Sequence, residues 1–376
     1  MKLFKSLLIA PATLGLLAPV STFASEANLN DISKYSDLEN IELTNAFVID
    51  DSTNDRSLLA GGEGLVESYD SSFSETTVAS FSVDAALLSI DGDTSTENMV
   101  FEYQFNIGLS TSFTGEDSLD IAIDSGSDSA ATNDNPLAFD TGAALSVDGV
   151  TYSFPLGGIS MVVGADTDIS ASFTGACSYS ALTDYMGDCG TGNTVGIGGN
   201  GVTATGSYAF DSGFSVAAGV SGESDSSNGI LTNQGSDTIG LEAAYTADSW
   251  GLAVAYVSSD NALAAETTSW GINATYTFDS EGFPSASIGY ETTETGDVDS
   301  SGYFVGLTWD EVGPGSVSLG AATAGNFVKD ATEYMTYEAS YSYPVNDSMT
   351  VTPGVYIEET AGNDLTGIIV TTSFSF

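Results

Sequence analysis

The last eleven residues of the chain, 366–376, alternate between two kinds of side chain up to a terminal aromatic residue. Successive side chains of an extended strand point to opposite faces, so this segment has two distinct faces. One face carries Ile368, Val370, Thr372, Phe374 and Phe376, and the other carries Ile369, Thr371, Ser373 and Ser375. The pattern predicts a strand that turns its first face to lipid and its second to water.

Residues 1–24 have the composition of a signal peptide for export. Lys2 and Lys5 precede a run of about 14 mostly apolar residues, and small residues before Ser25 offer a cleavage site. An N-terminal membrane anchor is the alternative, but a spanning helix needs about 20 residues and this run is shorter and contains prolines. We therefore expect the mature chain to begin at Ser25.

The charge of the chain excludes one class of partner. The sequence has 52 acidic residues against 5 basic ones, and removal of the leader would leave only Lys34, Arg56 and Lys329 as basic residues. So acidic a chain repels nucleic acid. It is nevertheless 42% hydrophobic and 10% aromatic, so it is not expected to be disordered. Strong helix formers are scarce and glycine is frequent, which indicates an almost entirely β structure.

Alternating segments recur along the chain and number sixteen. The predicted strands are 77–89, 100–112, 117–123, 145–154, 158–165, 202–210, 214–220, 237–246, 250–258, 269–278, 283–291, 302–309, 315–322, 331–343, 348–357 and 366–376.

The connections between these strands are alternately short and long. Short periplasmic turns and long outer loops are typical of a transmembrane antiparallel β-barrel, which leaves no unpaired strand edge in lipid. The prediction is therefore an all-β outer-membrane barrel over residues 77–376, with residues 25–76 as an acidic periplasmic N-terminal segment. One or two soluble β-domains with polar linkers are the alternative, and they do not explain the regular loop alternation.

A barrel of sixteen strands leaves a water-filled channel, and the inward faces are predicted to be rich in Ser, Thr, Gly and acidic residues. This indicates a pore for passive diffusion of small hydrophilic solutes and ions. The longest connection, 168–200, is the third outer loop. In general porins this loop bends into the barrel and narrows it, and by that analogy the candidate constriction residues are Asp168, Asp184 and Asp188.

Both cysteines of the chain, Cys177 and Cys189, lie in this third loop. In an exported protein they are expected to form a disulfide, which would stabilise the loop by roughly 3 kcal/mol. Two free thiols are the alternative. Metal binding is disfavoured because the chain has no His and only two Cys.

The excess of carboxylates predicts a preference for cations, since the lumen cannot be lined with Arg and Lys. The alternative is that most carboxylates hydrate the outer loops, and both can hold. Acidic loop clusters could also bind Ca²⁺, but none has the spacing of a calcium-binding loop, so no metal or other cofactor is predicted.

Enzymatic functions are disfavoured. The absence of His removes Ser–His and Cys–His catalysis, and no pair of carboxylates stands out as a glycosidase site. The glycine-rich string 196–201 lies between strands rather than at the start of a helix, so it is not a phosphate-binding loop. The prediction is that the protein is not an enzyme.

Five segments of the chain resemble the porins of marine cyanobacteria: 1–20, 26–38, 111–123, 150–158 and 341–357. The resemblance implies an outer-membrane porin of the carbohydrate-porin type, either monomeric or a homotrimer. Its partners would be outer-membrane lipid, small ions and solutes, and the outer-membrane assembly machinery, for which Phe374 and Phe376 would form the C-terminal signal.

Two departures from that family limit what is carried over. Its members usually have a surface-layer homology domain and a coiled coil after the N-terminal motif, whereas the segment 41–76 is too short and too polar for either. The Arg-bearing strand of the family is replaced by the acidic sequence of 117–129. A β-rich exported adhesin or structural surface protein without a pore remains the alternative function.

Overall fold

The computed structural model describes residues 77–92, 99–127, 136–137, 139, 142–199, 201–222, 232, 235–260, 265–280 and 282–376. The predicted leader, 1–24, and the predicted N-terminal segment, 25–76, lie outside these ranges. No helix in the described part of the chain is long and apolar enough to cross a membrane.

The described residues form one antiparallel sheet of 17 strands. The strands are β1 Thr77–Asp91, β2 Met99–Thr111, β3 Ser118–Gly126, β4 Ser146–Leu156, β5 Ile159–Ala165, β6 Val202–Ala209, β7 Phe214–Gly222, β8 Asp237–Thr246, β9 Trp250–Asp260, β10 Thr267–Tyr276, β11 Ser285–Thr295, β12 Val298–Val312, β13 Gly315–Thr323, β14 Phe327–Val328, β15 Met335–Asn346, β16 Met349–Glu358 and β17 Leu365–Ser375. The two-residue β14 pairs with β12 from within a loop, and the other sixteen form the wall.

The wall is a closed barrel because its first and last strands pair with each other. The β1–β17 register runs from Ser82 opposite Ser375 to Asp91 opposite Thr366. The seam ends in two backbone hydrogen bonds between Phe81 and Phe376, of 2.9 and 3.0 Å. Closure leaves no strand edge unpaired, which is the condition for a β structure in lipid. The predicted sixteen-stranded barrel is confirmed.

The two faces of the wall differ in chemistry, as β8 illustrates. Ile239 and Leu241 point outward and are about half exposed, whereas Thr238 and Glu242 point inward and are buried. The same alternation leaves aromatic and aliphatic side chains on the outside around the barrel, including Phe101, Trp270, Ile288, Val305, Leu319, Val355 and Ile368. An apolar outer face over a polar inner face is the pattern of a barrel that stands in lipid.

One end of the barrel carries tight turns, such as residues 157–158, 313–314 and 347–348, and the other carries most of the long loops. We call these the turn end and the loop end. One predicted long loop, 292–301, is wrong: β11 and β12 continue through it and leave only residues 296–297 unpaired. Polar pairs such as Glu294 opposite Asp299 form this extension, and because they lack apolar alternation the sequence suggested a loop.

Candidate pore constriction

The connection between β5 and β6 spans residues 166–201, and its described residues, 166–199 and 201, fold onto the inner wall of the barrel. We call it L3. It contains a short 3-10 helix, Ile169–Ser172, and one turn of α-helix, Asp184–Gly187, and the rest is mostly extended or turn. This is the third loop at the loop end, for which the sequence predicts the constriction of the pore.

An extended part of L3, residues 174–182, is attached to the wall through every second backbone N–H. In an extended chain alternate N–H groups point the same way, so one edge of this segment faces the wall. The acceptors lie on β8, β10, β11, β12 and β15 in turn: Thr174 to Glu242 (2.6 Å), Ala176 to Asn273 (2.9 Å), Ser178 to Ser287 (3.1 Å), Ser180 to Thr308 (3.3 Å) and Leu182 to Glu338 (2.8 Å). L3 is therefore a strap along the inside of the barrel.

Two carboxylates of the wall bind L3 through several donors each. Glu338 accepts hydrogen bonds from the N–H of Leu182, from the hydroxyl of Tyr179, and from both the N–H and the hydroxyl of Thr183, at 2.6–2.9 Å. Its side chain is buried.

Glu291 has a similar environment on β11. It accepts hydrogen bonds from the backbone and side-chain amides of Asn193, from the hydroxyl of Thr194, and from the side-chain amide of Asn326, at 2.6–3.0 Å. It is 1% exposed. L3 therefore binds through its own donors to acidic residues of the wall.

Apolar contacts complete the attachment of L3. Phe173, Ala176 and Val195 pack against small residues of β8 and β9, namely Ala244, Ala253 and Ala255. Further along, Tyr179, Met186 and Cys189 pack against Phe304 and Ala322.

Glycines in the wall make room for these groups. A Cβ at Gly306 or Gly320 would collide with the ring of Tyr179, and the backbone of β11 at Gly289 lies against the Cys189 carbonyl. Close approach of a loop to a sheet requires such small residues.

A disulfide joins Cys177 and Cys189, with a Cα–Cα distance of 5.9 Å and a sequence separation of 12. It links the extended part of L3 to the end of its α-helical turn. The covalent link therefore fixes the shape of the loop where it lies against β12 and β13.

The three predicted acidic residues lie within L3 and do not form its exposed edge. Asp168 is 4% exposed and accepts a hydrogen bond from the N–H of Gly199 at 3.2 Å. The pKa of Asp188 is raised to about 7, mainly because the carboxyl is buried and further because Asp184, Asp168 and Glu291 are negatively charged. The structure therefore brings Asp168, Asp184 and Asp188 into one electrostatically coupled group. The exposed residues among the described part of L3 are Asp166, Ala171, Gly175, Ser178, Ser180 and Asn193, so its exposed carboxylate is Asp166, at the start of the loop.

Glu242, Glu291, Glu338 and Asn273 are functional positions that the sequence analysis missed. Each lies on a strand in the inward register and has at least one outward apolar neighbour, as in the sequence TIGLEAA around Glu242. A single long polar side chain among small inward residues was the available signal. Sequence alone gives no indication of which loop would cover it.

An apolar cluster near the loop end corrects the prediction for the last strand. Ile369 was placed on a face turned to water, but it is fully buried in a cluster with Leu88 and Tyr356 from the wall and Leu182 from L3. The loop between β3 and β4 contributes Leu137 and Phe139, and its Pro136 carbonyl accepts a hydrogen bond from the Asp184 N–H at 3.2 Å. Two loops thus meet on this part of the inner wall.

On β1 to β4 the inward side chains towards the turn end are short, polar and partly exposed. They are Ser82, Asn106, Ser110, Ser118, Asp120, Thr151 and Ser153. Asp120 accepts a hydrogen bond from the hydroxyl of Ser118 at 2.8 Å. Lys329 is the single basic residue in the described part of the chain, and it is exposed in an outer loop, 3.9 Å from Asp299. The wall thus presents hydroxyls and carboxylates to the lumen.

Comparison with solved structures identifies this architecture. OprB of Pseudomonas putida, in its high-pH structure, superposes with a TM-score of 0.67 at 13% identity over 80% of this chain and 94% of that one. The fold is that of the outer-membrane porins. Other structures with the porin fold are the anion-selective porin of Comamonas acidovorans (TM-score 0.57, 14% identity, 80% and 99% covered) and Vibrio cholerae OmpT lacking loop L8 (0.58, 10%, 80% and 100%).

No protein-family model matches the chain. No curated protein matches it in sequence either. Together with the apolar outer face, the porin fold supports the predicted location in the outer membrane.

Proposed function

We propose that this protein is an outer-membrane channel for passive diffusion of small hydrophilic solutes and ions. The observation that carries the proposal is a closed sixteen-stranded barrel with an apolar outside and L3 lying against a polar inner wall. A sixteen-stranded barrel is wide enough to leave a water-filled passage, and an inserted loop narrows that passage without closing the wall. The protein is a channel and not an enzyme.

The channel prefers cations. The fold does not decide the sign, since the structurally similar Comamonas protein is described as anion-selective. The charges of this chain support a preference for cations, because inward positions include Asp120 and Asp124, and the described barrel has Lys329 as its single basic residue. A lumen with one sign of charge concentrates ions of the other sign.

Asp168, Asp184 and Asp188 contribute to this preference through their field. Asp168 is buried within L3, whereas Asp184 and Asp188 are partly exposed, and the charges of all three act on ions in the lumen. Asp188 contributes a full charge only when the solution is more alkaline than its pKa of about 7.

Several finer assignments belong to the same proposal. The resemblance to marine cyanobacterial porins favours neutral carbohydrates as additional solutes and a homotrimer as one assembly state. Phe374 and Phe376 serve as the C-terminal signal for the assembly machinery. Phe376, which directly follows β17, is 71% exposed on the outer face. Residues 1–24 direct export and residues 25–76 form a periplasmic segment.

The decisive experiment is single-channel recording of the refolded mature chain in a planar bilayer under a KCl gradient. Discrete steps with a reversal potential on the cation side support the channel and its selectivity. Discrete steps with a reversal potential near zero would support the channel but contradict the preference for cations. Silence from protein whose folding is verified by circular dichroism and heat-modifiable gel mobility favours the alternative, an exported adhesin or structural surface protein.

A further inference from the structure

Glu291 and Glu338 each accept four hydrogen bonds. An ionised carboxylate offers about four lone-pair positions, and each of these two groups receives four donors. A protonated carboxyl would place its own O–H against one of these donors. Both sites therefore fit the charged form of the side chain.

The charge of each carboxylate is balanced by these donors alone in the described part of the chain. Asp188 and Tyr185 interact electrostatically with Glu291, and Tyr179 and Tyr356 with Glu338, and none of these groups is cationic. Lys329, the single described basic residue, is exposed in an outer loop. Hydrogen bonds to a buried charge are worth more than those between neutral groups, and an unsatisfied partner is costly.

We propose that Glu291 and Glu338 are positioning residues that hold L3 in the lumen only while both are ionised. Glu338 fixes the loop where its extended part ends, at residues 182–183, and Glu291 fixes the returning part at residues 193–194. When a carboxylate is neutralised, one of its donors faces an O–H instead of an acceptor and the remaining hydrogen bonds lose the contribution of the charge, so L3 leaves the wall at that point. The effect on conductance rests on the proposed function, whereas the effect on the loop does not.

Hydrogen–deuterium exchange of the folded full-length mature protein in detergent tests the proposal without any conduction. In the Glu338→Gln variant, the amide hydrogens of Leu182 and Thr183 should exchange about 10- to 100-fold faster, since an amide side chain cannot accept four donors. Glu291→Gln should do the same at Asn193. Glu294→Gln is the matched control, because Glu294 is on the same strand as Glu291 but exposed, and it should change nothing.

A pH series distinguishes the loss of charge on Glu291 and Glu338 from a general loosening of the protein. Asp188 lies near Glu291, and its own protonation would relieve repulsion, so the series is run in the Asp188→Asn variant. As the pH falls from about 7 to 4, exchange at 182–183 should rise towards the level of the Gln variants after correction for intrinsic rates. A protein that already carries both Gln substitutions should show no further rise.

Should Glu338→Gln fail to fold, Thr183→Val tests the same site from the loop side by removing one of the four donors. It should accelerate exchange by a smaller factor, about 3- to 10-fold. Unchanged exchange in folded Glu338→Gln, or an equal change in Glu294→Gln, overturns the proposal. Channel recordings test the proposed function separately. A folded wild-type protein without conductance would refute the proposed function, and it would not affect the conclusion from hydrogen exchange.

Discussion

Gly289 on β11 and Cys189 in L3 are in such close contact that a side chain on Gly289 would overlap the carbonyl oxygen of Cys189. Cys189 is fully buried and has a positive φ of 53°, so its backbone has little freedom to move. Gly289→Ala should therefore displace L3, because the backbone of Cys189 cannot shift to make room. We expect the free energy of unfolding, measured in urea, to fall by about 1–3 kcal/mol. Gly142→Ala, where a methyl group meets open space, is the control and should leave stability unchanged.

The disulfide makes the second prediction. Cys177→Ala with Cys189→Ala should leave the barrel folded but loosen L3, with a loss of roughly 3 kcal/mol in the local stability of the loop. Proteolysis or hydrogen exchange of L3 measures this. Reduction of the wild-type protein should reproduce the effect and should have no effect on the double variant. An equally protected loop in the double variant would show that the noncovalent contacts suffice.

These two predictions depend on features that differ in how far the sequence reveals them. The number of strands and the outward face of most of them could be predicted because one face of each strand is apolar, and a shift by one residue would turn that face inward. The bounds of β11 and β12 could not be predicted, because the polar extensions of these strands lack the apolar alternation. The disulfide could be predicted because an exported protein favours oxidised cysteines. The length of L3 could be predicted from the spacing of the strands on either side of it. Glu338 and Ile369 were not identified because their roles depend on which loop covers the inner wall.

Selectivity makes the third prediction. Asp120 is inward, partly exposed and bonded to Ser118, so its charge acts directly on ions in the lumen. Asp120→Asn should shift the reversal potential in a KCl gradient towards zero, and Asp120→Lys should shift it further. Asp211→Asn, at an exposed turn, is the control. An unchanged reversal potential in both Asp120 variants would assign selectivity to other carboxylates.

The pKa of Asp188 makes the fourth prediction. Burial raises this pKa to about 7 from 3.8, so between these values the folded state binds more protons than the unfolded state. The contribution of Asp188 to stability therefore becomes less favourable as the pH rises through that window, and above pH 7 its full penalty is present. Asp188→Asn should raise the unfolding free energy at pH 8, on the order of 2 kcal/mol, and lose that advantage at pH 4. An advantage independent of pH would argue against a charge effect.

The fifth prediction concerns the turn between β2 and β3, which Asp117 stabilises through its hydrogen bonds. The carboxylate accepts hydrogen bonds from the hydroxyl of Ser112, the N–H of Phe113, the N–H and hydroxyl of Thr114, and the hydroxyl of Tyr152, at 2.7–3.0 Å. Burial acts to raise its pKa, but these hydrogen bonds outweigh burial and lower it.

A lowered pKa means that the stabilisation by Asp117 is present above the ordinary range of an aspartate and is lost only in strong acid. Asp117→Asn should therefore lower the urea midpoint at pH 7 and flatten its dependence on acid pH, because an amide cannot accept all five donors. Glu116→Gln, the exposed neighbour in the same turn, changes charge equally and should leave the midpoint unchanged. Equal midpoints for both variants would mean that the turn is held by its backbone and by Gly115, whose φ is 86°, and not by the carboxylate.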